Sequence, residues 1–311
     1  MTIMGLLWII LYCCTITTIS ILIFGIKPAF AYKTRHGKNG SRKKILDTVP
    51  LILVTSGAES YTGFLDSTEL LDITGRTRPC AFSHLPYKYY GATGGYLPGL
   101  GPVVCGGSSE DSSDECYLLR RSVEGTLNLD YLMTKREGAS SVVFTKPQPL
   151  LWVAGGTNGY PTDSTEIISN LEESSQKFRN IMGSLPEASA YHAMVSIEWH
   201  NSAEVWLIGG WTKNEGKSTK TWKFNFDFTS WNGKWQPGPD LGKGRVEHAA
   251  GVITDHTTME KYVVVTGGRD ESSNSVEVLV NDEWISGEAY LFWIKLLRYS
   301  KEIEILSLKL F

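Results

Sequence analysis

The chain has 311 residues, among them 31 glycines and 10 tryptophans, with 42% apolar residues, 20% charged residues and a formal net charge of −3 at pH 7. That mixture excludes a disordered or collagen-like chain and is rich enough in apolar side chains to bury a sizeable core. The near-neutral balance offers no basic excess to neutralise phosphates, so nucleic acid is not an expected partner.

Residues 6–26 carry no charged side chain, and at 1.5 Å per residue a helix of that length crosses a bilayer. The sequence supports two readings of this run. Ala29-Phe30-Ala31 has the small-x-small pattern of a signal-peptidase site, so residues 1–31 read as a signal peptide cut before Tyr32. Uncleaved, the run reads as a transmembrane helix, a signal anchor held by the basic residues Lys27, Lys33, Arg35, Lys38, Arg42, Lys43 and Lys44 on its cytosolic flank. Any membrane contact is expected only through residues 6–26. Residues 32–50 read as a basic linker, and Asn39-Gly40-Ser41 is a glycosylation sequon that matters if the chain enters the secretory lumen.

Five cysteines occur; Cys13 and Cys14 lie in the apolar run, leaving Cys80, Cys105 and Cys116. The odd count argues against a full disulfide framework. Cys105 closes one strand-like run and Cys116 opens the next, so in a hairpin they face each other and would form a bridge in an oxidising compartment. The alternative is two small buried thiols. With the Ala-x-Ala site, the pair favours a secreted or extracellular protein over a single-pass membrane one.

From residue 51 a pattern repeats. Short β-branched runs end in Ser56-Gly57, Gly106-Gly107, Gly155-Gly156, Gly209-Gly210 and Gly267-Gly268, so the second glycines stand at intervals of 50, 49, 54 and 58 residues. Runs such as Val205-Trp206-Leu207-Ile208 and Val263-Val264-Val265 predict strands buried on one or both faces. A polar loop and a second strand follow, the latter carrying Glu69, Glu166 or Glu277 in three repeats. Aromatics mark an outer strand, clearest at Trp235 and Trp284. A further strand starts near Gly91-Ala92, Gly138-Ala139, His192-Ala193 and His248-Ala249, preceded in two repeats by Arg136 and Arg245.

Four strands in each unit of about fifty residues, with a glycine pair, a following Glu and a downstream Trp, resemble the kelch-repeat β-propeller family. The resemblance covers residues 51–285 and implies an all-β fold, a kelch-type β-propeller of four-stranded blades with about five recognisable repeats. Kelch propellers usually have six or seven blades and close by pairing strands from the two termini. Here the first repeat lacks its leading strand and residues 286–311 depart from the pattern. That tail reads as an incomplete final blade or, where residues 302–311 alternate, as a closing strand. The expected consequence is an open or strained ring.

The resemblance implies interaction with an unidentified protein ligand, and no enzymatic activity is expected. The chain lacks a Gly-x-Ser-x-Gly elbow, a His-Glu-x-x-His pair and a phosphate-binding Gly-x-x-x-x-Gly-Lys. Copper-radical oxidases also carry a kelch-like propeller, but their Tyr–Cys and His constellation does not align with this sequence. A cytosol-facing cytoskeletal or ubiquitin-ligase adaptor is a further alternative, against which stands the lack of a BTB or BACK region before the repeats. No metal or cofactor is expected: His192 and His248 recur at one repeat position, as structural residues do, and lack ligand-pair spacing. The acidic loop at residues 108–115 reads as a solvated loop. The loops after the glycine pairs share one rim, where Tyr160 and Trp211 are candidate contacts.

Overall fold

Alternate side chains of a strand point to opposite faces, and in Leu150–Ala154 every one is buried. Such a strand needs an apolar neighbour on both sides of its sheet. A computed structural model supplies that arrangement, and describes residues 22–26, 51–57, 63–72, 83–109, 111–120, 125–146, 148–169, 183–230, 232–255, 258–269, 274–288 and 303–309.

The described strands form small antiparallel sheets in sequence order. The first contains β1 (Leu22–Ile26), β2 (Leu51–Thr55) and β3 (Thr68–Asp72). The second contains β4 (Thr93–Leu97), β5 (Gly101–Cys105), β6 (Glu115–Leu118) and β7 (Leu127–Tyr131). The third is formed by β8 (Ser140–Phe144), β9 (Leu150–Ala154) and β10 (Thr165–Ser169). The fourth is built from β11 (Ala193–Glu198), β12 (Ser202–Ile208), β15 (Thr221–Asp227) and β16 (Asn232–Pro237). Between β12 and β15 a ribbon of β13 (Trp211–Thr212) and β14 (Gly216–Lys217) projects as a loop. The fifth sheet runs β20 (Glu283–Glu288), β19 (Ser275–Val280), β18 (Lys261–Thr266), β17 (Ala249–Asp255) and β21 (Ile303–Lys309).

The first strands of successive sheets are neighbours. β1 packs beside β4, β4 beside β8, β8 beside β11, and β11 beside β17 and β21, while β21 returns to β1. The cores lie between sheets. Leu150, Trp152 and Ala154 pack with Val205, Leu207 and Phe224 of the fourth sheet. The intervening Leu151 and Val153 turn the other way, to Val103 and Cys116 of the second. β12 repeats the device: Val205 and Leu207 face back, while Trp206 and Ile208 face Val252 and Val263 of the fifth sheet. The strands are continuously apolar because each sheet is sandwiched.

Three expectations change. The fifth sheet is not incomplete; it has five described strands, because β21 adds antiparallel to β17 with a bulge between Val252 and Ile253. The strand missing from the first repeat is β1, paired in register from Leu22↔Thr55 to Ile26↔Leu51. β1 is the end of the apolar run expected to meet a membrane, and a strand bonded to β2 is not part of a helix crossing a bilayer. What is left of the run, residues 6–21, lies outside the described residues and is shorter than the ~20 apolar residues of a typical span. Among the described residues no helix is long and apolar enough to cross a membrane. The Ala29–Ala31 site, the basic linker, Asn39, Cys13, Cys14 and Cys80 also lie outside the described residues.

Candidate functional site

The glycine pairs occupy backbone conformations that a side chain would strain: Gly106 and Gly107 have φ of 63° and 96°. Their position ties one sheet to the next. The second glycine donates its N–H to a carbonyl ahead of the following sheet: Gly57 to Tyr89 (2.8 Å), Gly107 to Arg136 (2.9 Å), Gly156 to Ser189 (2.9 Å) and Gly210 to Arg245 (2.8 Å).

These four acceptors define the true register of the repeats. Two residues beyond each acceptor stands a residue with left-handed φ: Gly91 (64°), Gly138 (60°), Tyr191 (52°) and Glu247 (55°). Matching by residue type had paired Gly91 and Gly138 with His192 and His248, one position too far along. The left-handed residues are linked in series. Gly138 N–H donates to the Gly91 carbonyl (2.8 Å), Tyr191 N–H to that of Gly138 (2.6 Å), and Glu247 N–H to that of Tyr191 (3.0 Å). They form an arc across four sheets at one end of the innermost strands.

Side chains on this arc converge. The Tyr191 hydroxyl donates to Glu137 Oε1 at 2.7 Å, and Arg269 Nε donates to Glu247 Oε2 at 2.6 Å. Tyr90 stacks on Phe64 with centroids 4.8 Å apart. Burial, then the hydrogen bond to Glu137, pushes the Tyr191 phenol far up from its ordinary pKa. Burial also raises Tyr90, which lies within electrostatic reach of Glu137 and Glu247. Tyr90, Glu137, Tyr191 and Glu247 are each half-buried, so the cluster keeps access to solvent.

Beneath the arc, Arg136 and Arg245 are fully buried. Arg136 Nη1 donates to the carbonyls of Gly155 (2.6 Å) and Ser164 (3.0 Å), and its Nη2 to Ser164 Oγ (2.9 Å) and Glu166. Arg245 repeats each bond with Gly267 (2.6 Å), Ser275 (3.2 Å and 2.8 Å) and Glu277 (2.8 Å). Burial lowers the Arg136 pKa and the Glu166 charge works against that shift. The second oxygens of the carboxylates receive backbone N–H bonds from Met133 (2.6 Å) and Gly242 (2.6 Å). Glu69, grouped with these two by sequence, is solvent-exposed. In the second sheet Tyr89 takes the arginine's place and donates to Glu115 Oε2 at 2.5 Å.

The other sequence candidates are dispersed. Trp235 packs on Phe224 and Trp152, at 5.0 and 5.8 Å, in the core between the third and fourth sheets. Trp284 packs on the next core and donates to the Pro239 carbonyl at 3.0 Å. His192 and His248 are buried in different sheets, against Gly155 and Gly209 of the preceding ones. Cys105 and Cys116 are register partners in β5 and β6 and form a disulfide, with Cα atoms 4.1 Å apart.

Tyr160 and Trp211 lie on loops beside the arc: Glu137 pairs with Thr157, and Ala190 with Trp211. Tyr160 is 71% exposed, with Lys213 Nζ 5.3 Å from its ring centroid. Trp211 is not in an irregular loop as expected; it begins β13 and is partly buried. Sequence reading missed Tyr90, Glu137, Tyr191, Glu247 and Arg269. The signal available was a non-glycine residue at a repeat position held elsewhere by glycine.

No family model and no curated protein matches the sequence. By shape, the chain is similar to a β-propeller-fold protein whose solved structure is titled "Structure of YjhT", with a TM-score of 0.58 and 15% sequence identity, over 76% of this chain and 81% of that one. The likeness shows the fold: all-β, of several small antiparallel sheets in a propeller-like arrangement. It also corrects the expectation that the chain is not an enzyme. That expectation rested on missing motifs, whereas the fold shared with YjhT is one that can be catalytic, so a flat exclusion does not stand.

Proposed function

We propose that this chain is a kelch-type propeller that binds a protein ligand on the rim formed by its post-glycine loops, with the arc of Tyr90, Glu137, Tyr191 and Glu247 at its centre. The observation that carries the reading is convergence: four sheets bring half-buried polar and aromatic side chains to one end of the innermost strands. Tyr160 and Trp211 extend that surface outward, and exposed aromatics are enriched among interface anchors. The kelch assignment is supported by the repeat of about fifty residues and by the matching Arg136–Glu166 and Arg245–Glu277 networks.

The proposal places the protein in the secretory pathway, secreted and glycosylated at Asn39, on the strength of the Cys105–Cys116 bridge. It also takes the propeller beyond residues 51–285, to include β1 and β21. The test is site-specific photo-cross-linking in extracts of the producing tissue. A cross-linker at position 160 should trap a discrete protein adduct, and one at position 199, at the far end of β11, should not. Equal trapping at both positions, or at neither, would overturn the rim assignment.

A further inference from the structure

We propose that the arc binds an organic ammonium group. The inference rests on reading this end of the sheets as the binding face and names the chemistry at its centre.

The residues are placed where a functional side chain is costly. An L-residue in the left-handed region costs roughly 1–2 kcal/mol, and Gly91 and Gly138 avoid that cost at two of the four equivalent positions. Tyr191 and Glu247 do not. Their side chains then meet partners from neighbouring sheets: Tyr191 reaches Glu137 at 2.7 Å, and Glu247 is held by Arg269 at 2.6 Å. Residues retained against backbone strain and aimed at one cluster are a recurrent mark of ligand sites.

Charge decides the ligand class. The cluster has two carboxylates, Glu137 and Glu247, against one guanidinium, Arg269. An anion would have to settle beside both carboxylates. A cation meets two carboxylates and the phenol rings of Tyr90 and Tyr191, and aromatic rings attract cations through their negative faces. Arg269 is the natural competitor, but its side chain is 47% exposed. Exposed ion pairs of this kind contribute little, about 0–1 kcal/mol, so an ammonium group can take its place at Glu247 at small cost. The ammonium could come from a free amine or from a lysine side chain of a bound protein; the chemistry at the arc is the same.

The test is calorimetric titration of the full chain with butylammonium chloride, with trilysine, and with sodium acetate. Saturable binding of butylammonium is expected, weakened roughly tenfold by Glu137→Gln and by Glu247→Gln, with the variants' thermal unfolding confirming that each is folded. Tyr160→Ala, on the outer rim, should leave it unchanged. Trilysine binding at least tenfold tighter than butylammonium, still dependent on Glu137, assigns the source to a basic protein segment; comparable affinities assign it to a free amine. No saturable binding by the folded wild type, insensitivity to both glutamine variants, or preference for acetate overturns the proposal. Rim cross-links at position 160 that persist without cation binding would sink this inference while leaving the rim assignment standing.

Discussion

Tyr191 lies across Gly138. Its backbone N–H donates to the Gly138 carbonyl at 2.6 Å, and its ring passes so close that a Cβ built on Gly138 would stand 2.6 Å from Cδ1. The glycine of the third sheet makes room for the aromatic of the fourth, and so lets the phenol reach Glu137.

Gly138 and Gly125 separate space from strain. Both have positive φ, 60° and 71°, but a Cβ on Gly125 meets nothing within 4 Å. Gly125→Ala should cost only the left-handed penalty, about 1–2 kcal/mol. Gly138→Ala adds the clash with Tyr191 and should cost at least twice as much. Urea unfolding of the two variants checks the ratio, and equal losses would contradict the packing described.

The buried arginine networks should behave as pairs. Glu166→Gln or Arg136→Met alone leaves an uncompensated polar partner in the interior and should cost about 3–5 kcal/mol. The double variant Arg136→Met/Glu166→Leu should recover most of that loss. The same cycle at Arg245 and Glu277 should give a similar coupling, since the bonds match one for one. Unfolding free energies for the four corners of each cycle measure it.

The Cys105–Cys116 bridge closes a short loop between adjacent strands, and both residues are buried. Replacing both by serine should remove about 2–3 kcal/mol. Thermal unfolding with and without reductant checks this: reductant should lower the midpoint of the wild type and leave the double variant unmoved.

Alkaline pH should find the tyrosines of the arc. Burial and Glu137 raise the Tyr191 phenol, burial raises Tyr90, and the hydrogen bond to Glu260 pushes Tyr262 up to about 12. A phenol whose folded pKa lies above its unfolded value of about 10 contributes its full stability below pH 10. That stability is lost as pH rises through the folded value. Denaturation midpoints should therefore hold steady to about pH 10 and fall beyond it, and Tyr191→Phe should flatten the fall.

The N-terminus of the mature protein offers a sharp choice. Cutting before Tyr32 would remove β1, the strand that completes the first sheet next to β2. The expected intact mass, measured after deglycosylation and reduction, retains Leu22–Ile26. Recovery of a stable protein beginning at Tyr32 would show that the first sheet does without β1.

The glycine pairs were legible because the residue type and the backbone requirement coincide: only glycine takes φ near 96° at Gly107 without strain. The sandwiched strands were legible because burial on both faces writes an unbroken apolar run, as in β9. The arc was not, because Tyr191 and Glu247 stand where residue type and backbone conformation disagree. Aligning on His192 and His248 hid them by one position. Arg136 was visible, but its bond to Glu166 joins residues 30 apart in sequence, and Glu69 looked identical to Glu166 while standing in solvent. β1 was concealed because five apolar residues of a strand read the same as the end of a leader.

β21 is the last described strand in the sequence, yet it lies between β17, its hydrogen-bonded partner, and β1, the first. During synthesis, at roughly 5–20 residues per second, four sheets emerge from the ribosome and stack before the segment that joins the two ends exists. Until then the free edge of β17 and the flank of β1 are open to any passing strand, another nascent copy included. Stalling or premature termination after the fifth sheet therefore has a cost out of proportion to the few residues lost, because it leaves the ring's seam for a stranger to fill.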